Sequence, residues 1–409
     1  MPPATMRPIP CLALLLTFAT AAAAQQKPRA RDLGIPFEGT PGRYNAITDV
    51  GGVTVGQTTI VRGEGKLVAG KGPVRTGVTG ILPRGAGSTE PVFAAWFTLN
   101  GNGEMTGTTW LEESGFLYGP MAITNTLSVG AVRDAVIRWA VDHHLDAFDA
   151  ALPVVAETWD EPLNDILGMH VKPEHLFQAL DHAATGPVAE GNVGGGTGMV
   201  CHEFKGGIGT SSRRLPAEQG GYTVGVLVQC NCCGRERLMI SGVPVGREIP
   251  DLMPCVSIPD PATDWLKTQP KCDALGPRGS LNRPPGRNGS IIVVVATDAP
   301  LVSSQLKRIA KRVALGIGRM GGLGEDSSGD IFLAFSTAPT GLVADSTVAS
   351  IRMLHNEKMN PLFAATVQAT EEAIVNAMVG AETMTGADGV RIFALPHDRL
   401  IAAMRKYGR

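Results

Sequence analysis

The stretch Asn288-Gly289-Ser290-Ile291-Ile292-Val293-Val294-Val295-Ala296 decides the fold. Its last six residues are apolar without interruption and mostly β-branched, and turn-forming residues precede them. A short apolar run of this kind predicts a buried β-strand. This run is the strongest strand signal in the chain. The residues directly before it are the ones whose chemistry has to be interpreted.

Asn288-Gly289-Ser290 supports two interpretations. Taken alone, Asn-Gly is a strong signal for a hairpin turn. The alternative is autoproteolysis, in which the Ser290 hydroxyl attacks the Gly289 carbonyl and an N-to-O shift and hydrolysis free Ser290 as a new N-terminus. Glycine before the bond permits the strained backbone that this attack needs. The freed α-amine would titrate near pH ~8 and could take the proton of its own hydroxyl.

The regions around this strand carry further strand and helix signals. A basic amphipathic helix is predicted from Ser303 to Leu315, a strand from Ile331 to Ser336 and a helix from Leu362 to Val379. The pairs of strands and of helices favour layered α+β packing over a strict βαβ alternation. Upstream, strands are predicted at 52–61, 74–82, 91–99, 152–156 and 223–229, and helices at 128–144 and 173–183.

Composition excludes several classes of protein. The 409 residues are 44% hydrophobic and 18% charged, so the chain can bury a substantial core. Its formal net charge of -2 and the lack of a basic patch argue against a nucleic-acid partner. A small molecule or a peptide is the expected partner.

The segment from Pro250 to Gly289 holds eight prolines and is predicted to be an exposed loop, either a linker or a processing loop.

The N-terminus resembles a secretory signal peptide over residues 1–24. One arginine, Arg7, precedes a short apolar run, and four alanines end at Ala24. The run is too short to span a bilayer, although an uncleaved anchor is the alternative. We therefore expect a periplasmic or secreted protein that is not embedded in a membrane.

Removal of residues 1–24 would also remove Cys11 and leave six cysteines. An even number in an oxidising compartment predicts disulfides, whose pairing the sequence does not reveal. A zinc site built from these cysteines and His202 is a weaker alternative, because two separated C-x-x-C knuckles are missing. The six are Cys201, Cys230, Cys232, Cys233, Cys255 and Cys272.

Common catalytic motifs are either absent from the sequence or lack the structural context that they require. Gly316 to Gly321 matches G-x-G-x-x-G, but it follows a predicted helix and lacks the dinucleotide-binding context. There is no H-E-x-x-H or G-x-S-x-G motif, and none of the eight histidines lies in a recognisable triad context. A hydrolase built on this chain needs another base, such as the amine of an N-terminal serine.

A set of ordered motifs then identifies a resemblance that covers nearly all of the chain after residue 24. The sequence resembles the L-aminopeptidase/D-esterase-amidase (DmpA-like) family, which includes the β-peptidyl aminopeptidases. The resemblance implies a four-layer αββα sandwich like that of N-terminal-nucleophile hydrolases. It also implies self-cleavage into a large subunit, 25–289, and a small subunit, 290–409, which form one domain and a higher oligomer. The motifs are 102–107 (NGEMTG), 123–126 (ITNT), 153–158 (PVVAET), 191–194 (GNVG), 242–246 (GVPVG), 289–292 (GSII), 297–300 (TDAP), 328–330 (SGD) and 334–337 (AFST).

The resemblance also implies roles for individual residues. Ser290 is the nucleophile and, through its amine, the base, with cleavage between Gly289 and Ser290. Asn231, expected just after a strand that ends at Gln229, supplies an oxyanion-hole amide.

Other matches concern positioning and the substrate. Ser328 and Asp330 orient the nucleophile and its amine, and Glu157 anchors the free ammonium of the substrate. Two of the positions depart from the family. Trp159 stands where some members have a tyrosine, and an indole can donate but cannot titrate. Asp330 is one methylene shorter than the glutamate of other members.

The sequence therefore predicts a self-processing serine aminopeptidase that hydrolyses small peptides, amides or esters through an acyl-enzyme on Ser290 and needs no metal or organic cofactor. One alternative is an acyltransferase of the ornithine acetyltransferase type, against which Ser290 and the signal peptide both argue. A secreted binding protein with an inert Asn-Gly hairpin is the other.

Overall fold

The computed structural model describes residues 27–146, 149–272, 289–342 and 347–409. The predicted signal peptide, Asn288 and the stretch 273–288 of the proline-rich segment lie outside the described residues. The helices are α1 Thr108–Ser114, α2 Val129–Asp142, α3 Pro173–Asp181, α4 Val245–Glu248, α5 Ser303–Arg319, α6 Asn360–Val379 and α7 His397–Lys406. The strands are β1 Thr54–Arg62, β2 Val74–Leu82, β3 Val92–Gly101, β4 Phe116–Leu117, β5 Met121–Asn125, β6 Val155–Thr158, β7 Val200–Cys201, β8 Phe204–Lys205, β9 Gly207–Arg214, β10 Thr223–Cys232, β11 Cys255–Val256, β12 Gly289–Thr297, β13 Gly329–Ser336, β14 Met384–Thr385 and β15 Val390–Ile392.

Two sheets form the centre of the fold. The larger has six strands in the order β4-β3-β13-β12-β10-β9, and the smaller has four in the order β1-β2-β5-β6. In the larger sheet β12 is antiparallel to β10 and parallel to β13. Two strands of the predicted small subunit, β13 and β12, thus lie side by side in the middle of this sheet, with strands of the predicted large subunit on either side.

The side chains of β12 show how the layers stack. Successive residues of a strand point to opposite faces, and the apolar run serves two different cores. Ile292 and Val294 pack in the cluster between the two sheets, together with Ile81 and Ile123 of the smaller sheet. The alternate residues of β12 pack on the other face against α5 and α6.

Helices also cover the outer face of the smaller sheet. Val136 and Trp139 of α2 and Leu176 of α3 pack there against Val74 and Val78. The order of layers is helix, sheet, sheet, helix, which confirms the predicted αββα sandwich. Among the described residues, no helix has the length and apolar character that crossing a bilayer would require.

Strand β10 extends beyond its predicted end. Gln229 was expected to close it, but it continues to Cys232 because Gly289 to Ile291 of β12 pair with its last residues. Asn231 therefore lies inside a strand and not in the turn after it. Helix α5 likewise continues past Leu315 to Arg319, and this places Gly316 and Gly318 within a helix.

The prediction of an exposed loop is wrong for the described part of the proline-rich segment, residues 250–272. Strand β11 pairs with β15, and Leu266 is almost fully buried in a small apolar cluster with Val256 and Val390. The carboxylate of Asp388 accepts hydrogen bonds from two backbone amides of this segment. Apolar residues and a disulfide thus fix a segment whose proline content suggested an open loop.

The six cysteines form three disulfides: Cys201–Cys230, Cys232–Cys233 and Cys255–Cys272. The zinc alternative is therefore not supported, since paired sulfurs leave no thiolate to bind the metal. The described residues also hold no group of three or more His, Cys, Asp or Glu side chains arranged around a metal position.

Candidate active site

Ser290 is the second residue of β12, and its side chain lines a cavity of about 540 Å³ at the end of the sheet. Only 5% of the residue is exposed. Its Oγ accepts a hydrogen bond of 3.1 Å from the backbone N–H of Gly329, its register partner on β13. The hydroxyl is thus held at a fixed position while one face remains open to the cavity.

Gly289 has a backbone conformation that other residues avoid. Its φ is +93°, and a Cβ built on it would overlap the carbonyl oxygen of Asn231. Only glycine adopts this conformation without a steric penalty. A conformationally constrained glycine thus lies directly before the Ser290 hydroxyl.

The side-chain amide of Asn231 is held at both ends. Its Oδ1 accepts from the backbone N–H of Val200 at 2.8 Å, and its Nδ2 donates to the carbonyl of Trp159 at 2.8 Å. Because Nδ2 carries two hydrogens, one remains for another acceptor. Asn231 is 3% exposed and lines the cavity beside Ser290, and this arrangement suits an oxyanion donor.

Ser328 and Asp330 lie behind the cavity wall, at the start of β13. The Ser328 hydroxyl donates to Asp330 Oδ1 at 2.6 Å, and Asn100 Nδ2 lies 3.3 Å from the other carboxylate oxygen. The backbone amide of Ile291 also donates to this carboxylate. Burial raises the pKa of Asp330 above that of an ordinary aspartate, although these hydrogen bonds partly offset the effect. The carboxylate is thus next to the peptide unit that directly follows Ser290.

Glu157 is a buried carboxylate that lines the same cavity. It is 3% exposed and accepts hydrogen bonds from the backbone N–H of Glu104, at 2.8 Å, and from the Thr126 hydroxyl. Burial raises its pKa, with a smaller contribution from the charge of Glu104. Among the described residues, no Lys, Arg or His side chain forms an ion pair with it. A buried carboxylate without a cation can bind one that enters the cavity.

Trp159 contributes to the cavity in two ways. Its carbonyl oxygen holds Asn231, whereas its indole N–H donates to Glu161 at 3.1 Å. The indole proton is therefore directed to a carboxylate and not to the oxyanion position. Among the described residues that line the cavity, the ionisable ones are all glutamates: Glu104, Glu157 and Glu161.

Of the site residues that the sequence predicted, Glu157, Trp159, Asn231, Gly289 and Ser290 line the cavity, whereas Ser328 and Asp330 do not line it, and further residues line it as well. Thr126 belongs to the quoted 123–126 motif, so the signal was present although its contact with Glu157 was not foreseen. Glu161 and Trp265 also line the cavity. Trp265 comes from the segment interpreted as an open loop, and no local pattern pointed to it.

Comparison with known proteins agrees with the family resemblance that the sequence motifs indicated. Residues 45–392 match the model of peptidase family S58. The chain is 53% identical to beta-peptidyl aminopeptidase BapA of Sphingosinicella microcystinivorans over 391 residues, which are 95% of this chain and 94% of the relative.

Two solved structures are also similar. One is a beta-aminopeptidase from Burkholderia sp., with a TM-score of 0.79, 45% identity and coverage of 93% of this chain and 99% of the other. The other is the L-aminopeptidase D-Ala-esterase/amidase of Ochrobactrum anthropi, described as a prototype of serine aminopeptidases and a variant of the Ntn hydrolase fold. Its TM-score is 0.80 at 44% identity, with coverage of 94% of this chain and 99% of the other.

Proposed function

The chain belongs to peptidase family S58 and is a hydrolase with an N-terminal serine nucleophile, and from this premise we propose that it removes N-terminal residues, including β-amino acid residues, from small peptides, amides and esters. One observation carries the assignment of the site. The Ser290 hydroxyl, the Asn231 amide and the buried Glu157 carboxylate line a single cavity. The nucleophile, the oxyanion donor and the anchor for the ammonium are therefore within reach of one small substrate.

Self-cleavage creates the nucleophile. Ser290 Oγ attacks the carbonyl carbon of Gly289, the C–N bond breaks, and the acyl group moves from nitrogen to oxygen as an ester. Water then hydrolyses the ester, leaving a carboxylate on Gly289 and an amine on Ser290. The positive φ of Gly289 and the fixed position of Oγ support this step. The small subunit would be residues 290–409.

Peptide hydrolysis uses the same hydroxyl. The neutral Ser290 amine accepts the hydroxyl proton while Oγ attacks the substrate carbonyl. The free N–H of Asn231 stabilises the oxyanion of the tetrahedral intermediate. The ammonium then gives its proton to the leaving amine as the C–N bond breaks. Water hydrolyses the acyl-enzyme by the reverse proton transfers and regenerates Ser290.

Glu157 makes the enzyme an exopeptidase in this proposal. A substrate ammonium that leaves water without a partner pays a large desolvation cost, which the buried carboxylate offsets. A chain without a free amine near the scissile bond gains nothing from this contact. Similarity to a beta-peptidyl aminopeptidase and to a beta-aminopeptidase supports extending the substrate class to β-residues.

Location and assembly are part of the proposal. The three disulfides support the periplasmic or secreted location that the N-terminal pattern predicts. The two fragments are expected to remain associated through the six-stranded sheet, and a higher homo-oligomer is proposed from the family resemblance. The acyltransferase alternative is not favoured, because the matched family and relatives are peptidases.

Fragment analysis together with activity tests the proposal. The purified protein should give two bands on a denaturing gel, and Edman degradation of the smaller should start Ser-Ile-Ile-Val. It should release the N-terminal residue from β-alanyl and α-alanyl p-nitroanilides, and Ser290→Ala should stay uncleaved and inactive. A single intact chain with full activity would overturn both the cleavage and the nucleophile.

A further inference from the structure

Lys205 is a fully buried lysine whose side-chain nitrogen has backbone carbonyls as partners. It lies on β8, and its Nζ donates to the carbonyl oxygens of Met199 at 2.6 Å, Gly206 at 2.9 Å and Gly196 at 3.4 Å. Among the described residues, no carboxylate lies within ion-pairing distance of it. Burying an ammonium without a counter-ion is costly. Burial lowers the pKa of Lys205 from 10.5 to about 7, and at or below that pH three carbonyls satisfy the hydrogens of the ammonium but leave its charge without a counter-ion.

The Met199 carbonyl connects this lysine to Asn231. Because the carbonyl of residue 199 and the N–H of residue 200 belong to one planar peptide unit, they polarise together. Lys205 binds the oxygen of that unit, and its N–H donates to Asn231 Oδ1 at 2.8 Å. The cation and the side-chain amide are thus bound to opposite ends of the same peptide.

The contacts of Asn231 fix which end of its amide faces the cavity. A flipped amide would place Nδ2 against the Val200 N–H and Oδ1 against the Trp159 carbonyl, and both contacts would be repulsive. Pulling electron density toward Lys205 makes the Val200 N–H a stronger donor. Each bond in such a chain strengthens the next. The final donor in the chain is the remaining Asn231 N–H.

We propose that Lys205 is a positioning residue that acts through the Met199–Val200 peptide on Asn231, holding its amide with nitrogen toward the cavity and strengthening it as an oxyanion donor. This inference rests on the oxyanion role given to Asn231 in the proposed function. Lys205 does not contact the cavity wall, so its effect is transmitted through two hydrogen bonds. The oxyanion exists only in the transition state and the intermediates, and the effect therefore falls on kcat and not on KM.

A double-mutant cycle tests the proposal. Lys205→Met keeps an unbranched chain but removes the charge, and Asn231→Ala removes the donor. Each variant and the double variant are assayed with one p-nitroanilide, and kcat is expressed per processed molecule because a weaker oxyanion hole also slows self-cleavage. Lys271→Met is the matched control, since Lys271 Nζ also lies near backbone carbonyls, those of Ile258 and Pro259, at 3.3 and 3.4 Å.

The expected pattern is specific. Lys205→Met should lower kcat about tenfold to a hundredfold, the range for loss of a charged hydrogen bond, with KM nearly unchanged. Asn231→Ala should lower kcat about a hundredfold to a thousandfold. The double variant should be no slower than Asn231→Ala, and Lys271→Met should match the wild type. Lys205→Arg, which keeps a cation, should recover part of the loss.

Other outcomes distinguish a failure of this inference from a failure of the proposed function. If the losses of the two single variants multiply in the double variant, Lys205 acts independently of Asn231 and the inference is wrong. A wild-type kcat for Asn231→Ala would instead remove the oxyanion role from the proposed function. If Lys205→Met does not fold, Lys205→Gln keeps a neutral donor and should show the same loss confined to kcat; an equal rise in KM would contradict the proposal.

Discussion

Asn231 and Ser290 are directly opposite each other in the antiparallel pair formed by β10 and β12. Cross-strand partners project from the same face of a sheet, so the amide and the hydroxyl face one cavity. The two residues come from opposite sides of the proposed cleavage point. In our proposal, the ladder between β10 and β12 holds the nucleophile beside its oxyanion donor after the chain is cut.

Asp330→Asn should change the pH dependence of catalysis. In our proposal the Ser290 amine must be neutral to act as a base, and the nearby carboxylate favours its protonated form. Removing that charge lowers the pKa of the amine, and the acid limb of the kcat profile should move to lower pH. Poorer positioning should also lower the plateau by about a hundredfold at most.

Processed protein and a kcat profile from pH 4 to 10 provide the measurement. Asp326→Asn is the control, because Asp326 is exposed on the same loop and should leave the profile unchanged. An acid limb at the wild-type position would show that Asp330 does not act on the amine.

The Glu157→Gln substitution should lower activity on substrates that have a free amine and leave activity on N-acylated substrates nearly unchanged. The amide preserves the shape of the carboxylate but has no charge for the substrate ammonium. Loss of one partner of a buried ion pair costs on the order of 3 kcal/mol, or roughly a hundredfold in kcat/KM. Activity on an N-acylated ester should change little. Equal losses on the two substrates would remove the anchoring role, and Glu113→Gln serves as the exposed control.

The same carboxylate predicts a second pH effect. Burial raises the pKa of Glu157, and only the ionised form attracts an ammonium. For free-amine substrates kcat/KM should therefore fall with decreasing pH through a pKa above that of an ordinary glutamate. The limb should be absent in Glu157→Gln, and its persistence there would assign it to another group.

The sequence predicts the centre of the fold well because the information there is local. The run from Ile291 to Ala296 is apolar at every position, and the structure buries both of its faces. Ser290 and Glu157 were located by motifs that continue directly into strands. Their roles, however, came from the resemblance of these motifs to the family, because the local pattern alone favours a turn at Ser290 and a solvated acid at Glu157.

Contacts between distant segments were not predictable in the same way. Thr126 meets Glu157 because β5 and β6 are parallel neighbours, and this depends on the whole sheet. Trp265 reaches the cavity from a segment closed by the Cys255–Cys272 disulfide. Asn231 has a weak strand propensity, yet pairing with β12 keeps it in β10. In each case a partner far along the chain outweighs the local pattern.

Replacing both Cys201 and Cys230 by alanine should lower stability and kcat together. The disulfide joins the residues next to Val200 and Asn231, the two partners of the hydrogen bond that orients the amide. Its loss should cost about 2–4 kcal/mol of unfolding free energy. The looser amide should lower kcat with little change in KM.

The matched comparison is the double alanine variant of Cys255 and Cys272. That disulfide closes the segment that carries Trp265, so its loss should be seen mainly in KM. Urea denaturation and steady-state kinetics of both variants provide the test. An identical kinetic pattern in the two would show that neither disulfide acts on a particular part of the site.

Asp160→Asn should flatten the dependence of stability on pH. Asp160 follows β6, is fully buried and accepts hydrogen bonds from Asn125 and Asn164 at 2.8 and 3.0 Å. Burial nevertheless raises its pKa from 3.8 to about 6. Between these values the folded chain binds more protons than the unfolded chain, so the unfolding free energy decreases as pH rises through this window. The effect is on the order of 3 kcal/mol above pH 6.

Urea denaturation from pH 4 to 8, in the uncleaved Ser290→Ala background, measures this effect on a single chain. The difference between Asp160 and its asparagine variant isolates this group from the other buried carboxyls, and the variant should gain relative stability as pH rises from 4 to 6. Asp134→Asn, with an exposed side chain on α2, should show no such gain. A constant difference across the range would mean that Asp160 is ionised in the folded protein at pH 4, and its hydrogen bonds would then outweigh its burial.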